Sequence, residues 1–116
     1  MSSQRVQRVQ KLAREVLGES IRHLKDPRVG FATITAVRVS PDLGRARVLV
    51  SVLGSEEVKA ATMAGLTSAA PRLRTELGRS MRTRKTPELV FELDRQAEEA
   101  ARLERLFRQV RDEEGG

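Results

Sequence analysis

Residues 31–53 read FATITAVRVSPDLGRARVLVSVL. Two runs rich in β-branched residues, 31–40 and 45–53, lie on either side of a short break, SPDLG at 40–44. Strand formers bounded by turn formers predict an antiparallel hairpin. In the second run Ala46, Val48, Val50 and Val52 alternate with other residues and so share one face, which we take as the core face. In the break Pro41 fixes φ, Asp42 can cap the turn, and Gly44 permits a positive φ.

Upstream, the apolar period changes from two to about 3.6. Val6, Val9, Leu12, Ala13, Val16, Leu17, Ile21 and Leu24 fall on one face of a helix over residues 4–24, which Pro27 and Gly30 end. Downstream, Ser55 is an N-cap candidate, and Glu56 and Glu57 suit the positive end of the helix dipole. Val58, Ala61, Gly65, Leu66 and Ala69 give that helix an apolar face. Pro71 interrupts it, since proline lacks the N–H and its ring clashes with the preceding turn. Leu73, Leu77 and Met81 then resume the spacing as a second helix, ended by TRKTP at 83–87. ELVFELD at 88–94 reads as a strand with Leu89, Phe91 and Leu93 on its buried face. Ala100, Leu103, Phe107 and Val110 mark an amphipathic C-terminal helix over about 95–111, with a frayed tail at 112–116. The whole predicts one α+β domain: a core over about 4–94, with helices on one face of a three-stranded sheet beside which the last strand returns.

The 116 residues suffice for a single modest core. There is no cysteine, so disulfides and cysteine-based metal sites or catalysis are excluded. The charged start MSSQRVQRVQKL lacks the apolar stretch of a signal peptide, and the longest apolar run, VLVSVL at 48–53, is too short to span a bilayer. We therefore expect a soluble cytoplasmic protein. His23 is the lone histidine, and Glu98, Glu99 and Glu104 alternate with arginines in a pattern that ordinary helix pairing explains. No phosphate-binding glycine loop, HExxH or nucleophile motif is present. An enzyme is not expected, nor a cofactor or metal.

The net charge is +6, and it is unevenly placed. Residues 1–28 carry +4 and residues 72–87 carry +5, whereas residues 88–116 carry −4. Such a surface attracts and orients a polyanion. Within PRLRTELGRSMRTRK at 71–85, the helical projection puts Leu73, Leu77 and Met81 on one arc and Arg72, Arg79 and Arg82 on the roughly opposite one. Arg74 lies at the edge of the apolar arc, where its stem can cover apolar surface. Arginine suits phosphate because its planar fork donates two hydrogen bonds at once. Arg84 and Lys85 extend the series, and Lys25 and Arg28 flank a turn that is also explained structurally. A solvated helix face is the alternative for the whole stripe. The only aromatics are Phe31, Phe91 and Phe107, and Phe91 reads as core. Base stacking on a sheet face is therefore set aside in favour of backbone and shape recognition of structured RNA or a ribonucleoprotein. A protein adaptor whose basic helix meets an acidic partner is the reading from another class.

KDPRVG at 25–30, VSPDLGRARVLVSVLG at 39–54 and LGRSMRTRKTPELVFELD at 77–94, in this order, closely resemble the bacterial ribosome-binding factor A family, over about Arg5 to Val110. The resemblance implies a KH-like type II domain, ordered α-β-β-α-kink-α-β, with a C-terminal helix. It implies a non-catalytic assembly factor that binds the small (30S) ribosomal subunit and supports late maturation and 5′-end processing of 16S rRNA. Its implied partners are the small subunit and 16S rRNA, at the 5′-terminal helix and decoding region, with a functional link to a ribosome-biogenesis GTPase. A role in growth in the cold and a monomeric state belong to the same expectation. The family's helix kink carries an Ala-x-Gly pattern. Here Ala69, Ala70 and Pro71 occupy it, so proline stands where glycine is expected.

Overall fold

The computed structural model describes residues 3–82 and 85–115. Its elements are α1 (Gln4–Arg22), β1 (Phe31–Val39), β2 (Arg45–Leu53), α2 (Glu56–Ser80), β3 (Glu88–Leu93) and α3 (Arg95–Gly115). Serine caps start two of the helices: Ser3 Oγ accepts from the Val6 amide and Ser55 Oγ from the Val58 amide. Each satisfies an N–H that the first helical turn leaves without a carbonyl.

The hairpin forms as its alternation requires, with Val37 opposite Val48 and Val39 opposite Ala46. A bulge between Ile34 and Ala36 shifts the register. The turn departs from expectation at one residue. Leu43, not Gly44, has the positive φ, 60°. Its side chain is buried in the core, which offsets the roughly 1–2 kcal/mol that a left-handed backbone costs a residue with a Cβ. At Gly44 the close approach is to a side chain. A Cβ there would stand 3.1 Å from Asp42 Oδ1, the same oxygen that accepts the Gly44 amide at 2.9 Å.

β2 is the central strand, antiparallel to β1 and parallel to β3. A parallel partner requires a crossover, and α2 supplies it. Ala46, Val48, Val50 and Val52 are all buried, as their alternation predicts, and meet Leu17, Ile21, Leu66, Leu73, Leu77, Leu89 and Phe91 in one core. This is the expected α+β arrangement, with the KH-like type II strand order and a terminal helix.

The two helical stretches expected on either side of Pro71 are contiguous: α2 runs through the proline to Ser80. It stops before the 83–87 segment expected to end it, with Met81 as C-cap. Pro71 is exposed, so its ring projects away from the core and costs one hydrogen bond, the one that the Thr67 carbonyl would receive. Val58, expected on the apolar face, is exposed, and its place is taken by Thr62, which is fully buried. The C-terminal expectation also changes. Helix α3 continues through Gly115 in place of a frayed tail from 112, and none of its described residues is buried. It is tied at its base. Asp94 Oδ1 accepts the Ala97 amide at 3.0 Å, Asp94 Oδ2 accepts the Thr35 hydroxyl, and Glu98 pairs with Lys59 at 2.7 Å.

Candidate nucleic-acid interface

The basic series of residues 72–85 separates into different fates. Arg72 and Arg79 lie on the solvent side of α2 seven residues apart, two helical turns, and neither forms an ion pair among the described residues. Arg82, just beyond the C-cap, is exposed and equally free. Arg74 is also exposed but is bonded to the chain. Its Nε and Nη2 both donate to the Thr86 carbonyl, at 3.2 and 2.8 Å, and so pin the approach to β3 against α2. Lys85 is exposed beside the hairpin turn. Asp42 there is held below its ordinary pKa by the Ser40 hydroxyl, the Gly44 amide and the Lys85 charge. Arg84 lies outside the described residues.

The turn at 25–30 is built for docking on α2. Thr62 Oγ1 accepts the Gly30 amide at 3.0 Å and donates to the Arg28 carbonyl at 3.4 Å. Gly65 admits the turn so closely that a Cβ there would meet Val29 Cγ2 at 2.6 Å. Arg28 folds back onto Asp26, with Nη2 2.6 Å from Oδ2. The Arg28 side chain and then its amide lower the Asp26 carboxyl to about 2. Arg28 is thus occupied within the turn, while Lys25 is exposed and unpaired. His23 is exposed and bonded to Glu19. Among the described residues no group of three or more His, Asp or Glu side chains is placed to hold a metal ion.

Two arginines outside the expected stripe join it in space. Arg5 and Arg8, on the first turns of α1, line a cleft of about 310 Å³ with Arg82 and the apolar Leu12 and Met81. Arg5 and Arg8 are exposed and have no acidic partner among the described residues. The helical period of residues 4–24 already set them off the apolar face. Their meeting with Arg82 had no local signal, because it depends on α1 packing beside the end of α2. The arrangement presents guanidiniums on both sides of one cleft, a geometry that grips phosphates from two directions.

The aromatic reading also changes. Phe91 is core, as expected. Phe31, however, is 75% exposed on the sheet face away from α1 and α2, so an exposed aromatic is present after all. No helix among the described residues is long and apolar enough to cross a membrane.

A sequence-family profile described as ribosome-binding factor A matches residues 5–107. A protein of that name from Brevibacillus brevis is 43% identical over 111 residues, covering 95% of this chain and 92% of the relative. Among solved structures, the crystal structure of ribosome-binding factor A from Thermus thermophilus superposes with a TM-score of 0.66 at 32% identity. The match covers 76% of this chain and 94% of that one. A homology model of the Thermus thermophilus factor, fitted into a cryo-EM map of a 30S–RbfA complex, matches with a TM-score of 0.61 at 34% identity. It covers 72% of this chain and 88% of that one.

Proposed function

Because this chain belongs to the ribosome-binding factor A family, we propose that it binds the small ribosomal subunit during late assembly, through the basic surface formed by α2 and the start of α1. The similar Thermus thermophilus factor fitted on a 30S subunit supports that partner. The observation that carries the surface assignment is the set of unpaired arginines: Arg72 and Arg79 on α2, and Arg82 across a cleft from Arg5 and Arg8. An arginine already bonded to protein has committed some of its five donors and its freedom to turn toward a phosphate. Free arginines have not, so Arg72, Arg79 and Arg82 rank above Arg74 and Arg28 as RNA contacts. Lys25, Lys85 and Arg84 form the periphery.

In this reading the protein acts by occupying and shaping 16S rRNA at the 5′-terminal helix and the decoding region, without catalysis. It supports 5′-end processing indirectly and leaves the subunit with the help of a ribosome-biogenesis GTPase. It works in the cytoplasm as a monomer and matters most in the cold, when misfolded RNA helices escape slowly. Ala69, Ala70 and Pro71 stand at the position of the family's kink, within a helix that is continuous here.

The test is co-sedimentation of the purified chain with 30S subunits. Arg72→Glu combined with Arg79→Glu places two carboxylates where phosphates should lie, and it leaves the core untouched. Binding is expected to be lost, with unchanged circular dichroism. Co-sedimentation at the wild-type level would refute the assignment, and insensitivity of the complex to nuclease would point to an acidic protein partner instead.

A further inference from the structure

The sheet face turned away from α1 and α2 carries a second concave site. Phe31 and Leu53 are cross-strand neighbours, so their side chains stand side by side. They are also the most exposed large apolar side chains among the described residues, at 75% and 72%. They border a cleft of about 500 Å³ whose opposite wall is the base of α3, with Glu98 and Arg105, and Lys59 beside them. Glu98 is the informative residue. Its Oε2 takes the Lys59 ammonium at 2.7 Å, but its Oε1 is buried and has no hydrogen-bond partner, the one such side-chain atom among the described residues. A buried acceptor left unpaired is costly, and native structures hold few of them. Arg105, on the rim, is exposed and without an ion pair among the described residues.

These features fit one kind of ligand. An exposed aromatic ring beside an aliphatic side chain offers a stacking platform. A carboxylate oxygen with no donor calls for an N–H. A free guanidinium at the rim suits a phosphate. We propose that this cleft holds an unpaired RNA base, stacked on Phe31, with its amino group toward the Glu98 carboxylate and its phosphate on Arg105. Cytosine is the simplest occupant, since its amino group matches a carboxylate acceptor, whereas uracil carries a carbonyl at the same position and would set one acceptor against another. A basic protein side chain would also satisfy Glu98. It is disfavoured because Lys59 already neutralises that carboxylate and the remaining free charge on the cleft, that of Arg105, is positive.

The inference rests on the chain being an RNA-binding protein and adds a site on the opposite side of the sheet from the α1–α2 surface. Fluorescence anisotropy with labelled single-stranded hexamers of cytidine and of uridine tests it, on the full chain. The cytidine hexamer should bind more tightly than the uridine one. Phe31→Ala should weaken cytidine binding by about five-fold or more, the lower end of what removing one stacking partner costs. Phe31→Tyr, which keeps the ring, should restore it. Because Phe31 is exposed, these variants should fold normally, and circular dichroism checks this. Equal binding of the two hexamers, or unchanged cytidine binding by Phe31→Ala, would overturn the proposal. So would Phe31→Ala losing affinity for an arginine-rich peptide and not for RNA, which would assign the cleft to a protein. Retained 30S co-sedimentation alongside any of these failures would overturn the base site alone and leave the subunit-binding reading standing.

Discussion

Glycine-to-alanine changes at two helical positions should have opposite signs. Gly18 lies within α1 and Gly65 within α2. In both, alanine recovers about 0.5–1 kcal/mol of helix propensity. At Gly18 a Cβ would meet nothing within 4 Å, so that gain stands alone. At Gly65 the Cβ would lie 2.6 Å from Val29 Cγ2, far inside the roughly 3.5–4.0 Å at which carbon atoms rest. Valine is stiff at χ1 and cannot swing clear. Arg28 Cβ and Asp26 Oδ2, each 3.5 Å from the same point, narrow the other ways of making room. The turn must therefore lift from α2, which strains its bonds to Thr62. Overpacking of this kind costs about 1–3 kcal/mol. Gly65→Ala should thus come out about 1 kcal/mol less stable than wild type, and Gly18→Ala about 0.5–1 kcal/mol more stable. Urea denaturation followed by circular dichroism reads both as midpoint shifts at constant slope. A Gly65→Ala protein as stable as Gly18→Ala would refute the reasoning, because it would mean that the 25–30 turn is not held against α2.

Two further outcomes follow from the same geometry. Asp26 titrates at about 2 in the folded state, below its ordinary 3.8, so its pairing stabilises the protein fully above about pH 4 and fades as pH falls toward 2. Denaturation midpoints across that window should drop less steeply in Asp26→Asn than in wild type, and parallel profiles would refute the pairing. Arg74→Met removes the two hydrogen bonds to the Thr86 carbonyl but keeps the apolar stem. It should cost about 1 kcal/mol in thermal stability and weaken 30S co-sedimentation less than the Arg72/Arg79 double change does. The reverse order would move Arg74 into the interface.

Much of the fold is visible in local pattern. The alternation of Ala46, Val48, Val50 and Val52 places β2 with its inner face buried, and the 3.6-residue period of residues 4–24 produces α1 with Ala13 and Leu17 fully buried. Ser55 caps α2 as its side chain allows. These features succeed because a strand or helix exposes its own periodicity to the core whatever else surrounds it. The site is less visible, for an equally physical reason. An arginine looks the same in sequence whether it is free or bonded. That Arg74 is spent on Thr86, twelve residues on, and that Arg5 and Arg8 come to face Arg82, depends on how separate segments pack. The turn shows the same limit, since only the core around Leu43 explains a left-handed backbone at a leucine beside an available glycine. So does α3, whose apolar residues predict a buried stripe but lie exposed, because the sheet's inner face is already covered by α1 and α2. Sequence by itself determined which residues want to be inside each element. Tertiary structure decided which charges remain free, because a charge is neutralised by whatever distant segment the fold brings beside it.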